Sequence, residues 1–204
     1  QGVKRAANAK SLVAKMGGLV TAVTELPDDR LVMMLDVERV LSETTHYDDE
    51  LVFKDIAPVT GGERYTVYFA DDSSVARRQI SQTLDAMGVR YVGLVNGRQA
   101  WDELKKVAAH AQALGRSVKD FVSLVLTDVE MPEMDGYILT KHIKSDRRFE
   151  GVPVIMHSSL SGMSNQQLGL SVGVDEYVSK FEPQRLAQTL SRLLGGAGGD
   201  AGRV

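Results

Sequence analysis

Five polar residues at separate places in this sequence have the types needed to handle a metal ion and a phosphoryl group. They are Asp71 and Asp72, Asp128, Ser158 and Lys180. Mg²⁺ is a hard cation that prefers octahedral oxygen ligands and keeps several of its waters. Asp71, Asp72 and Asp128 would offer it carboxylate oxygens, and three crowded carboxylates repel one another until a cation joins them. A carboxylate can also act as a nucleophile in phosphoryl transfer, giving an aspartyl phosphate. Catalysis of that transfer rests mainly on positioning and charge neutralisation, and the Lys180 ammonium can cover part of the developing charge. A short hydroxyl such as Ser158 can bond a phosphoryl oxygen and move when that oxygen arrives.

Each residue taken singly has a plainer explanation. Asp72 ahead of Ser73 and Ser74 suits a helix N-cap, Lys180 suits a solvated surface, Ser158-Ser159 suits a loop, and Asp128 suits a turn. The segment TDVEMPEMDG does not follow the calcium-loop pattern. Counted from Asp128, the sixth position is Glu133 rather than Gly and the twelfth is Leu139 rather than Glu. No GxGxxG follows the first strand of this block and no P-loop is present. His46, His110, His142 and His157 lack metal-ligand spacing and are expected as ordinary surface or core residues. Met131, Met134 and Met163 are expected to pack. The case therefore rests on the joint placement of the five residues.

That placement follows from the elements around them. Short apolar runs alternate with helix-period segments. Strands are expected at Thr66–Ala70, Arg90–Val95, Phe121–Thr127, Pro153–His157 and Glu176–Ser179. Helices are expected at Ser73–Met87, from Asn96-Gly97 to Leu114, at Gly136–Ser145, at Asn165–Val172, and from Pro183 through Leu194. This is βα repeated five times, with strands apolar on both faces, as in a parallel sheet covered by helices. In such sheets ligands bind at the carboxyl ends of the strands. All five polar residues fall at or just past a strand's carboxyl end.

Residues 63–194 form the expected main domain. Ala57–Gly62 breaks the chain before it, and the tail from Gly195 to Val204, with five Gly in ten residues, is expected to be mobile. Upstream, Leu19–Leu26 and Leu31–Leu35 flank Pro27-Asp28-Asp29-Arg30, a hairpin signal, and Asp36–Leu41 could form a short helix. An isolated hairpin is marginal in water, so a packing partner is expected for it.

Composition sets the outer bounds. The 204 residues are 43% hydrophobic and 25% charged, which excludes a disordered or low-complexity chain. The 24 basic and 27 acidic residues give a net charge of −3, unlike the basic stripe of a nucleic-acid binder. No run reaches the roughly 18 apolar residues of a membrane span, so a soluble protein without direct membrane insertion is expected. With no Cys there is no disulfide framework, thiolate zinc site or Cys nucleophile. The first residues are basic without a long apolar core, a poor signal peptide. A chain that does not begin with Met is expected to be a fragment or a processed protein.

FADDSS, VLTDVEMPEMDG, PVIMHSS and EYVSK, in this order and at these strand ends, resemble a response-regulator receiver domain over about residues 65–194. The resemblance implies a flavodoxin-like fold with parallel strand order 2-1-3-4-5. It implies Asp128 as phosphoacceptor. Asp71 and Asp72 become the acidic pair that holds Mg²⁺ together with Asp128 and the Glu130 backbone carbonyl. Ser158 and Lys180 become the phosphoryl-contacting residues and Tyr177 an aromatic switch. Two departures stand out. Phe181 replaces the Pro that usually follows the lysine, and the stretch between Asn96 and Val122 is long, with Lys105–Lys119 as an extended helix or extra loop. Receivers phosphorylate and dephosphorylate themselves but are not enzymes acting on a separate metabolite.

GGLVTAVTELPDDRLVMMLDVERVL resembles the last strands of a CheW-like coupling domain. Residues 1–58 are then a partial CheW-like segment with its linker. A CheW-like module followed by a receiver resembles the CheV-type chemotaxis coupling proteins. That implies a cytoplasmic adaptor at receptor arrays, with chemoreceptors and the histidine kinase CheA as partners. A phosphate sink, a stand-alone receiver and a non-phosphorylated docking module are the alternatives.

Overall fold

The computed structural model describes residues 20–25, 30–35, 53–159, 163–180 and 182–197. The chain divides into two compact units, residues 1–49 and 50–204.

In the first unit, β1 (Val20–Glu25) and β2 (Leu31–Leu35) form the expected antiparallel hairpin, with Glu25 opposite Leu31 and a shift in register between Val20 and Ala22. Val32, Met33, Met34 and Leu35 are exposed. The short helix expected at Asp36–Leu41 lies outside the described residues.

The second unit is a five-stranded parallel sheet with helices on both faces. Its strands are β3 (Thr66–Ala70), β4 (Arg90–Leu94), β5 (Leu124–Thr127), β6 (Val154–Ser158) and β7 (Glu176–Ser179). Their spatial order is β4-β3-β5-β6-β7, the expected 2-1-3-4-5. The helices are α1 (Ser74–Ala86), α2 (Gly97–Ala113), α3 (Gly136–Ser145), α4 (Met163–Ser171) and α5 (Pro183–Ala197).

Side chains alternate across a strand, and that alternation splits the core in two. Tyr68, Ala70, Val125, Val154 and Met156 face one way and pack with Ala100 and Leu104 of α2 and Leu139 and Ile143 of α3. Val67, Phe69, Leu124, Leu126, Ile155 and Val178 face the other way. They pack with Ile80 and Leu84 of α1 and Leu186, Leu190 and Leu194 of α5.

Local chemistry sets the helix starts. Asn96 and Asp135 place a side-chain oxygen 2.8 Å from the backbone N–H of Gln99 and Ile138, and so cap α2 and α3. Gly88 and Gly115, at φ 67° and 64°, supply the left-handed residues after α1 and α2.

Several boundaries correct the sequence reading. The cap of α1 is Ser73, whose Oγ accepts from Ala76 N–H at 3.3 Å, rather than Asp72, which is exposed. The strand expected over Phe121–Thr127 shrinks to Leu124–Thr127, because Val118–Asp120 winds into a 3-10 turn capped by Ser117. α5 continues through Gly195 and Gly196 to Ala197, past the expected start of the tail. β4 is an edge strand with no fully buried residue, so not every strand is apolar on both faces. Ile56 is buried and Phe53 and Val59 pack against the second core cluster, so residues upstream of 63 contribute to this unit. The long stretch after Asn96 is resolved as a 17-residue α2 followed by the 3-10 turn.

Candidate functional site

The carboxyl ends of β3, β5, β6 and β7 bring together Asp71, Asp128, Ser158 and Lys180, all buried, with Asp72 exposed at the rim. Carboxylate oxygens of Asp71, Asp72 and Asp128 lie within 4.8 Å of one another. Lys180 Nζ lies 3.1 Å from Asp71 Oδ2 and 3.0 Å from Asp128 Oδ2. Each acid is also held by backbone. Asp71 Oδ1 accepts from Ser73 N–H at 2.9 Å, and Asp128 Oδ1 accepts from Val129 N–H at 2.7 Å. These bonds fix which oxygen of each carboxylate faces the cluster.

Two buried acids beside one ammonium leave negative charge in excess, and Asp72 adds to it. Burial pushes the Asp71 carboxyl up to about 7; Lys180 pulls it down and Asp128 pushes it further up. Burial raises Asp128 too, against the pull of Lys180. Asp71 Oδ2 is buried, and although Lys180 is near it receives no well-aligned hydrogen bond among the described residues. A buried carboxylate oxygen in that state fits a small divalent cation, and so does the all-oxygen donor set.

Lys180 follows β7, and its backbone N–H donates to the Ser158 carbonyl at 3.0 Å. The lysine and the hydroxyl are thus tied at the backbone where β6 and β7 end. Tyr177 is half-buried on β7 opposite Met156 and packs against the α2–α3 side of the core. Glu130 is exposed in the loop after Asp128. Phe181 lies outside the described residues.

Four features escaped the sequence reading. Arg77 Nη1 donates to the carbonyls of Asp71 and Asp72 at 2.9 and 2.8 Å, pinning the turn that carries the acidic pair. An Arg one turn into the helix after a strand-end acidic pair is a spacing that a closer reading could have used. The loop after Asp128 folds back tightly. Thr127 Oγ1 donates to the Asp128 carbonyl at 2.9 Å, and a Cβ at Gly136 would lie 2.1 Å from that same oxygen. Glu133 holds φ 66°, a conformation costly for a residue with a side chain. Its Oε1 accepts from Asn96 Nδ2 at 2.9 Å, so the start of α2 braces this loop. Finally, His157 is a buried core residue beside the site whose Nδ1 has no hydrogen-bond partner among the described residues, and burial with help from Lys180 holds its pKa down to about 3. The other two described histidines pack on aromatic rings: His142 stacks on Trp101 and His110 meets Phe121 edge-on. Met131 and Met134 are buried as expected, while the Met163 side chain lies outside the described residues.

Comparison with known proteins matches this geometry. The family model of the response regulator receiver domain matches residues 67–191. The chain is 31% identical over 180 residues to chemotaxis protein CheV2 of Helicobacter pylori, covering 87% of this chain and 54% of that one. The chain thus spans about half the length of the CheV relatives it matches. It is 36% identical over 127 residues to chemotaxis protein CheY1 of the same organism, covering 61% of this chain and 93% of that one. Among solved structures, chemotaxis protein CheY4 of Vibrio cholerae superposes with a TM-score of 0.52 at 28% identity, over 63% of this chain and 98% of that one. Among the described residues no helix is long and apolar enough to cross a membrane. The parallel sheet, the acids and lysine at its carboxyl edge and the match over most of that unit lead to one assignment: the chain belongs to the response regulator receiver domain family.

Proposed function

We propose that this protein is a phosphorylatable signalling adaptor of bacterial chemotaxis, in which Asp128 takes a phosphoryl group and the change at its site alters coupling between receptors and kinase. One observation carries the reading most: buried Asp128, with Oδ1 held by Val129 N–H, presents Oδ2 to Lys180 within a cluster of three carboxylates.

Asp71, Asp72, Asp128 and the Glu130 carbonyl would hold Mg²⁺. When bound, the ion supplies charge neutralisation for the phosphoryl oxygens and the acids that surround them. The residues of the chain do the rest. Val129 N–H fixes Asp128 Oδ1, leaving Oδ2 as the attacking oxygen. Oδ2 bonds to phosphorus as the bond from phosphorus to the donor breaks, and the donor leaves with that electron pair. Lys180, released from Asp128 Oδ2 as that oxygen enters the acyl phosphate, keeps Asp71 and can turn its ammonium to a phosphoryl oxygen. Ser158, one backbone hydrogen bond from Lys180, would then reach another phosphoryl oxygen. Tyr177, two residues behind Ser179 on the same strand, would respond by changing rotamer.

The likeness to CheV proteins supports a histidine kinase of the CheA type as donor and chemoreceptors as further partners. It also supports reading residues 1–58 as part of a CheW-like module. The proposed location is cytoplasmic, at receptor arrays.

The test is incubation with acetyl phosphate, with and without Mg²⁺, read by intact mass beside Asp128→Asn. A Mg²⁺-dependent adduct missing in the variant is expected. A folded protein that binds Mg²⁺ and takes no adduct would instead identify a docking module with a silent site. If the adduct forms, phosphotransfer from CheA and kinase binding before and after phosphorylation separate an adaptor from a phosphate sink.

A further inference from the structure

At the opposite end of the sheet, where β3 and β4 begin and α2 ends, lies an open cavity of about 390 Å³. That volume is within the range of small-molecule sites. The rings of Tyr68 and Phe121 and the side chain of Val107 give it an apolar part, beside the polar and charged Thr66, Arg90, Glu103, Lys106, His110 and Asp120. Part of the wall is the long stretch after Asn96 that departs from the usual receiver pattern.

The charges around it are unequally satisfied. Glu103 is paired with Lys106 at 2.9 Å. Asp120 is paired with Arg116 at 3.1 Å, and Arg116 also sits 4.8 Å above the Phe121 ring. Both acids at the cavity are therefore neutralised by a cation from the protein. Arg90 has no such partner among the described residues; its only hydrogen bond runs to the Arg64 carbonyl at 3.4 Å. Tyr68 is 8% exposed, and no described residue hydrogen-bonds its hydroxyl. Burial, and Glu103 beside it, keep that hydroxyl protonated and a donor. Among the described residues, the donors at the cavity with no carboxylate partner are thus Arg90, a full positive charge, and the Tyr68 hydroxyl, beside the Phe121 ring.

We propose that this cavity is a second ligand site, for a small carboxylate with a flat apolar body. The carboxylate would accept from the Arg90 guanidinium and the Tyr68 hydroxyl, and the body would lie against Phe121 and Val107. Arg rather than Lys at that place suits a planar two-oxygen acceptor. The site is separate from the phosphoryl site and does not depend on phosphorylation.

Phenylacetate is the probe. It is titrated into the full 204-residue chain while backbone amide shifts are followed by NMR, with 2-phenylethanol as the uncharged counterpart. The expected result is saturable shifts centred on Tyr68, Arg90, Val107 and Phe121, with the amides around Asp128 and Lys180 unmoved. The alcohol, and phenylacetate on Arg90→Gln, should each bind about tenfold more weakly, the loss expected for a charge-assisted hydrogen bond. Arg90 is exposed, so the variant keeps the fold, and an unchanged spectrum elsewhere checks this. Shifts that do not saturate, shifts that map elsewhere, equal binding of the alcohol, or full affinity in Arg90→Gln would each overturn the proposal.

Discussion

The two ends of the parallel sheet treat charge in opposite ways. At the carboxyl end, Lys180, Asp71 and Asp128 have side chains only 2%, 0% and 6% exposed, and the ammonium lies 3.1 and 3.0 Å from the two carboxylates. At the amino end, the Arg116–Asp120 pair is 54% and 40% exposed. Taking ions out of water is expensive, and their attraction offsets that cost only when geometry and charge both balance. The carboxyl end does not balance, since two buried acids share one lysine. The amino end balances its acids one for one in a medium that screens them. An imbalance kept in the interior is what the proposed Mg²⁺ and phosphoryl site would require. A balanced pair at the surface reads as solubility and local order.

Substitutions at each end should break this contrast in proportion. Asp128→Asn has the largest expected effect: complete loss of the Mg²⁺-dependent adduct with acetyl phosphate, by mass, with the thermal unfolding curve showing a folded protein. Lys180→Ala leaves two buried acids without their ammonium. At pH 8 in a chelator it should destabilise by about 3 kcal/mol by urea unfolding, and Mg²⁺ should restore part of that loss. A full loss that Mg²⁺ does not touch would place the metal elsewhere.

Asp71→Asn should act in the other direction, through pH. With its folded pKa near 7 and an ordinary value of 3.8, Asp71 holds its proton more tightly in the native state than in the unfolded one. Its charge therefore costs nothing below about pH 4, costs more as pH rises to about 7, and costs the full amount above that. The variant's advantage over the parent in a chelator should grow across that window and level off. It should reach on the order of 2 kcal/mol at pH 8, since the loss of the Lys180 contact offsets part of the linkage gain. His157 has the opposite slope. Its folded pKa near 3 lies below the ordinary 6.5, so stability falls as pH drops below about 6.5. The parent should thus vary less between pH 4 and 6.5 than Asp71→Asn, whose remaining slope follows His157.

Gly136→Ala tests the fold-back of the Asp128 loop. Its Cβ would meet the Asp128 carbonyl at 2.1 Å, and a loss of about 1–2 kcal/mol in urea unfolding is expected. At the amino end, Arg116→Ala should stay within about 0.5 kcal/mol. A loss as large as that of Lys180→Ala would erase the contrast between the two ends.

Much of the fold was legible because its signals are local. Apolar runs of four or five residues, helix-period segments and glycine stops gave five βα units, and the carboxyl-edge rule then assembled Asp71, Asp128, Ser158 and Lys180. The misreadings were local competitions. Ser73 and Asp72 are both good caps, and the choice fell to Ser73 because Asp72 stands exposed at the rim of the acidic cluster. Phe121 looked like the start of a strand, but Ser117 capped a 3-10 turn just before it. Gly195 and Gly196 looked like a tail, yet α5 continues through them.

What the sequence by itself determined is the type and order of the elements and the identity of the groups at the strand ends, because periodicity, caps and residue chemistry are written within a few residues. What only the tertiary structure decided is energetic and long-range. The bracing of Glu133 by Asn96, 37 residues away, the Asp71 oxygen and the buried His157 nitrogen without a hydrogen-bond partner among the described residues, and the meeting of Arg90 with Tyr68 and Phe121 at one cavity all arise from which distant segments meet. Burial and pairing are properties of the packed chain, and they turn five polar residues into a charged, unbalanced site.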